Sequence, residues 1–80
     1  MAEIRIVYCS PCGFATQAKE LQNAVVNEFR DKVSVKLEKG DHGIFDVYVN
    51  NKKIFSRFKE KRFPEFEEIR DKVMDVMEEM

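Results

Sequence analysis

The chain is 80 residues long and 44% hydrophobic, with seven Phe, which makes one domain (1–80) and excludes a disordered polymer. Its 14 basic and 15 acidic residues leave a net charge of −1, without the basic excess that nucleic acid or an anionic membrane surface would demand. No apolar run approaches the roughly 18 residues of a membrane span, and Met1 to Arg5 lead into a strand-like stretch without a signal-peptide pattern. The expectation is a cytoplasmic protein, with neither nucleic acid nor membrane among its partners.

Ile4, Ile6 and Tyr8 alternate with Arg5 and Val7 and predict a first strand that ends at the cysteines. Phe14, Ala18, Leu21, Val25 and Phe29 fall on one helical face and predict a helix from about Pro11 to Phe29. Val33, Val35 and Leu37 alternate with Ser34, Lys36 and Glu38 as a second strand. Residues 39–43, with Gly40, Asp41, His42 and Gly43, have the chemistry of a turn. A third strand follows over 44–49, with Phe45, Val47 and Val49 on one face. Asn50-Asn51 suits a two-residue hairpin turn, because Asn tolerates positive φ, and 53–56 is the returning strand. Residues 57–63 read as a loop, after which Pro64 opens a last helix at the position where its missing N–H costs nothing. Glu65, Glu67 and Glu68 crowd its first turn, where the helix dipole favours negative charge. Phe66, Ile69, Val73, Val76 and Met77 form its buried stripe, and Met74, Met77 and Met80 are expected to fill core and terminus.

The order is therefore β-α-β-β-β-α, an α/β fold with a four-stranded mixed sheet and two helices. A strand–helix–strand unit is nearly always a right-handed crossover between parallel strands, so the first two strands should run the same way. If the third lies antiparallel beside the first, the sheet order is 2-1-3-4. Loop 39–43 then crosses the C-terminal end of the first strand, over the cysteines, and loop 57–63 reaches the same edge.

Cys9-Ser10-Pro11-Cys12 carries the chemistry. Two intervening residues let a disulfide close within one helical turn, and a helix N-terminus favours thiolate over thiol, lowering a cysteine pKa from about 8.5 into roughly the 3.5–7.5 range. In a reducing compartment such a pair is catalytic or metal-binding rather than a staple. Zinc normally takes four ligands, and beside the two cysteines the chain has one histidine, His42, so no metal site or cofactor is expected within one chain. A dimer sharing two such pairs could hold zinc or an iron–sulfur cluster. His42 is a candidate proton shuttle or thiolate partner, as against an ordinary solvated loop histidine. Arg57 and Phe58, with Lys59, Lys61 and Arg62, are candidates for docking the carboxylates of glutathione or of an acidic partner, as against a solvated loop.

Tyr8-Cys9-Ser10-Pro11-Cys12, the stretch Gly43-Ile44-Phe45-Asp46-Val47-Tyr48-Val49-Asn50, and Arg62-Phe63-Pro64-Glu65 before a helix together resemble the Rdx family. These are the small redox proteins like selenoproteins W, T and H. The resemblance covers nearly the whole chain. It implies a thioredoxin-like fold and a redox role linked to glutathione or to a thioredoxin-type protein. Selenoprotein members carry selenocysteine at the second motif position, which is Cys12 here. The resemblance therefore implies that Cys12 attacks and Cys9 resolves, whereas analogy with thioredoxin gives the reverse. Thioredoxins also place a cis-proline opposite the motif, and the only prolines here are Pro11 and Pro64.

The sequence thus points to a thiol–disulfide oxidoreductase that cycles Cys9 and Cys12, with glutathione, a thioredoxin-type protein or protein disulfides as partners. Two other classes stand beside it: a redox-gated binding module with little turnover, and metal carriage by a dimer.

Overall fold

The computed structural model describes residues 2–78. Strands β1 (Ala2–Cys9), β2 (Val33–Gly40), β3 (Phe45–Val49) and β4 (Lys52–Ser56) form one sheet of order β2-β1-β3-β4. β2 is parallel to β1, and β3 is antiparallel to both β1 and β4. The crossover from β1 to β2 is α1 (Ala15–Phe29), closed by a short 3-10 turn at Arg30–Lys32. After β4 come α2 (Arg57–Glu60) and α3 (Phe66–Glu78). The expected α/β architecture and strand order are what the chain adopts.

The hairpin explains the register. Asn50 and Asn51 both take positive φ, 51° and 70°, which is the geometry of a two-residue turn whose twist matches its strands. Asn50 also ties this turn to β1, since its side-chain Oδ1 accepts from Glu3 N–H at 2.9 Å and its own N–H donates to Glu3 C=O at 2.8 Å. Val47 pairs with Phe55 but Tyr48 pairs with Lys53, leaving Ile54 as the extra residue of a bulge. In a regular strand Lys53 and Phe55 would share a face. The bulge separates them: Phe55 enters the core and Lys53 lies on the other side of the sheet.

Ile4, Ile6 and Tyr8 of β1 and Phe45, Val47 and Val49 of β3 face the helices. They meet Ala18, Leu21, Val25 and Phe29 from α1, and Ile69, Val73 and Val76 from α3. By alternation the opposite face carries Arg5, Val7, Cys9, Asp46 and Tyr48. That face is largely polar: the Arg5 guanidinium stands 4.4 Å from the Tyr48 ring centroid and 3.7 Å from Glu38.

Four local expectations change. α1 begins at Ala15 instead of Pro11, because Gly13 adopts φ +79°, a left-handed conformation that interrupts any helix running through it. α3 begins at Phe66, and Pro64 lies two residues before it; Glu65 C=O accepts the first helical bond from Ile69 N–H at 3.3 Å. Residues 57–63 hold the single-turn α2, stopped by Lys61 at φ 59°. Met74 is 45% exposed and fills no core, Met77 is half-buried, and Met80 lies outside the described residues.

Candidate redox site at the C-terminal end of the central strand

β1 delivers Cys9 to the C-terminal edge of the sheet, and the chain turns back at once. Gly13 N–H donates to Ser10 C=O at 3.1 Å and Phe14 N–H to Cys9 C=O at 3.2 Å, so residues 9–14 form a tight loop. That loop brings Cys12 to Cys9 with their Cα atoms 5.3 Å apart, joined by a disulfide. The pair therefore closes in a turn before α1, not in its first turn. Cys12 lies three residues before Ala15, on the approach to the N-terminus of α1.

The two sulfurs have different surroundings. Cys9 is 0% exposed, whereas Cys12 lies on the surface with Ser10 and Pro11. Loop 41–44 produces this difference as it crosses the end of β1. Ile44 C=O accepts from Cys9 N–H at 2.8 Å, and Gly40 C=O accepts from Ser10 N–H at 3.2 Å. Gly40 lies beside Cys9 in the β1–β2 ladder, and a Cβ added there would come within 2.7 Å of Ile44 Cγ2 and 3.2 Å of Val7 Cγ1. Strands two apart in a sheet are separated by roughly 9–10 Å. For Ile44, the residue before β3 and opposite Cys9, to reach Gly40 of β2 its side chain must lie across the end of β1. Gly40 leaves the room for it, and Cys9 is sealed beneath.

Loop 57–63 reaches the same edge. The Phe63 ring packs edge-on against Phe14, centroids 4.8 Å apart, and against Phe45 at 5.3 Å. The Arg57 guanidinium caps this cluster, 5.1 Å from Phe14 and 5.2 Å from Phe63, and approaches Gly43 of the crossing loop. Three loops thus converge at the motif. Of the candidate docking residues, Phe58 is 54% exposed beside Arg57. The His42 imidazole is 89% exposed, at φ 58°, with Asp41 3.6 Å away. Arg62 is committed elsewhere: it donates to both carboxylate oxygens of Glu68, at 3.2 and 3.0 Å, and this bonding raises its pKa.

One residue of the site escaped the sequence reading. Asp46 is 3% exposed and is the only buried charged side chain among the described residues. Its Oδ2 lies 3.4 Å from Lys53 Nζ, while Oδ1 is buried and accepts no hydrogen bond from the described residues. The carboxylate raises the Lys53 pKa above its ordinary 10.5, Coulomb attraction being the largest cause and Tyr48 adding to it. A polar residue between Phe45 and Val47 reads in sequence as an outward-facing strand position; its burial depends on what crosses that face.

The family whose model matches, described as the Rdx family, spans residues 3–75. The chain belongs to the Rdx family. Among curated proteins it is 33% identical over 61 residues to "Migration and invasion enhancer 1" of Mus musculus, covering 76% of this chain and 52% of that protein. The Bos taurus protein of the same name is 33% identical over 63 residues, 76% of this chain and 54% of that one. The chain thus spans about half the length of these relatives. Among solved structures, a selenoprotein W-related protein from Vibrio cholerae superposes with a TM-score of 0.90 at 28% identity, covering 94% of this chain and 95% of that one. A protein from Bordetella parapertussis does so with a TM-score of 0.90 at 25% identity, covering 94% and 96%. The fold is thioredoxin-like, as the resemblance implies, and family and disulfide together point to a redox role. No helix among the described residues is long and apolar enough to cross a membrane.

Proposed function

We propose that the protein is a thiol–disulfide oxidoreductase that cycles Cys9 and Cys12 between dithiol and disulfide, with glutathione or a thioredoxin-type protein as its redox partner in the cytoplasm. The observation that carries this reading is the asymmetry of the pair: a disulfide between a surface sulfur and a sealed one. The Cys12 thiolate attacks a partner disulfide, forming a Cys12–partner mixed disulfide and releasing one partner thiolate. Cys9 then attacks Cys12 Sγ, closing the intramolecular bond and expelling the second partner thiolate. The partner is reduced by two electrons and the protein is oxidised by two. Exposed Phe58, with Lys59 and Lys61 around it, offers an apolar and cationic rim suited to the carboxylates of glutathione or of an acidic protein.

Reduced protein should react with glutathione disulfide to lose both thiols and about two mass units, reversibly on adding dithiothreitol. The Cys9→Ser variant should instead stop at a mixed disulfide on Cys12, and in lysate should trap its partner there. Oxidation that gives only intermolecular dimers would overturn the proposal.

A further inference from the structure

Sealing Cys9 creates a difficulty that the proposed cycle must solve. Cys9 can close the disulfide only as a thiolate, yet at 0% exposure it has no direct path for its proton to bulk water. β1 and β3 supply what is missing. Val7 pairs with Asp46 across the antiparallel ladder, and Cys9 follows Val7 by two residues on the same face. Asp46 is therefore the diagonal cross-strand neighbour of Cys9, a relation that places backbones about 7–8 Å apart and side chains closer. Its Oδ1 is buried, without a hydrogen-bond partner among the described residues, while Oδ2 lies 3.4 Å from Lys53 Nζ.

Resting on the dithiol reading above, we infer that Asp46 is the proton acceptor for Cys9 in the resolving step. As Cys9 Sγ attacks Cys12 Sγ, the Cys9 proton passes to Asp46 Oδ1, directly or through one water. The Cys9–Cys12 bond forms, the Cys12–partner bond breaks, and its electron pair leaves on the partner thiolate. Asp46 ends as the neutral acid and returns its proton to solvent, or to Cys9 when the disulfide is next reduced. The groups around the carboxylate are few. β4 contributes Lys53, and β3 itself contributes Tyr48, whose ring lies 5.7 Å from Lys53 Nζ. β1 contributes Arg5, which stands over Tyr48 and beside Glu38 of β2. α2 contributes Arg57, whose guanidinium lies over the Phe14 and Phe63 rings with its Nε buried and without a hydrogen-bond partner among the described residues.

The test is rapid mixing of the reduced protein with the aromatic disulfide 5,5′-dithiobis(2-nitrobenzoate), following thionitrobenzoate. Cys12 releases the first equivalent on attack and Cys9 the second on closure. In wild type the second phase should escape the tenfold fall per pH unit of an unassisted thiol just below neutral pH, because an internal base accepts the proton. Asp46→Asn should leave the first phase unchanged and slow the second about a hundredfold at neutral pH, the low end of what a positioned base contributes. That slowed phase should then rise with hydroxide concentration. A wild-type second phase that falls about tenfold per pH unit below about 8.5, as for an unassisted thiol, would overturn the inference whether or not Asp46→Asn folds. So would an unaffected Asp46→Asn. A wild-type protein that releases no second equivalent would refute the dithiol reading itself.

Discussion

Gly40→Ala tests whether the crossing loop is what seals Cys9. The new methyl would stand 2.7 Å from Ile44 Cγ2 and 3.2 Å from Val7 Cγ1, inside van der Waals contact for both. Ile44 is β-branched and stiff at χ1, so it cannot swing away within its rotamer. Overpacking of this kind costs about 1–3 kcal/mol. Gly40 has no positive φ, so Ala fits its backbone and reduces unfolded-state entropy, recovering about 0.4–1 kcal/mol. The net is a loss of about 1 kcal/mol, which in a domain of this size lowers Tm by roughly 4–8 °C. Stability alone does not locate the strain, so the second readout is Cys9 itself. In a Cys12→Ser background, where only Cys9 can react, iodoacetamide should modify Cys9 faster in Gly40→Ala than in Gly40 protein. The Ile44 side chain that covers it has been displaced. A Tm that is unchanged or raised, together with an equally unreactive Cys9, would refute this account of the seal.

Because the Asp46 carboxylate raises the Lys53 pKa, the folded chain holds that proton more tightly than the unfolded one. The contribution of the pair is complete below pH 10.5 and is lost as pH rises through the folded value, so Lys53→Met should flatten the alkaline fall in denaturation midpoint above about pH 10.5. Asn50→Ala removes the 2.9 Å bond from Glu3 N–H and leaves a Cβ residue at φ 51° without a compensating side chain, for a loss of about 1–2 kcal/mol in chemical denaturation. Asn51→Gly relieves a positive φ of 70° and should leave stability equal or raise it by about 0.5 kcal/mol, read in the same way. Arg57→Ala removes a cation from two ring faces and should cost about 1 kcal/mol in a thermal melt while loosening loop 41–44, seen as faster amide exchange at Ile44.

The strand order was legible because it follows from rules that act at long range on few residues. A right-handed crossover fixes β1 and β2, and an Asn-Asn turn fixes β3 and β4. With β3 antiparallel to β1, the convergence of both loops on Cys9 is a matter of topology. The element ends were not legible, because they depend on single backbone conformations. Gly13 reads as a tolerated helix residue until its φ is known, and Pro64 suits a first helical position as well as one two residues earlier. Asp46 was hidden for a different reason. Period-2 alternation correctly puts it opposite Phe45 and Val47, and only the bulge at Ile54 brings Lys53 beside it.

The correction at Gly13 also changes how the reactive sulfur is identified. A helix beginning at Pro11 would put Cys12 in its first turn. With α1 starting at Ala15, neither sulfur lies in its first turn, and what separates them is access. A partner disulfide is a bulky group that must approach the attacking sulfur in line, and only Cys12 stands on the surface to receive it. Cys9, sealed under Ile44, can meet no sulfur but that of Cys12, which is the property a resolving thiol needs: it closes the ring quickly and resists capture by other partners. Access therefore favours the attacking role proposed for Cys12, as the resemblance implies, against the order taken from thioredoxin. The roles can be read separately from any turnover. In Cys9→Ser protein Cys12 should alkylate readily and accumulate glutathione mixed disulfide, while Cys9 in Cys12→Ser protein should resist both until Gly40→Ala opens its cover. If Cys9 is instead the better-trapped thiol with Gly40 in place, burial is not what ranks the pair and the roles are exchanged.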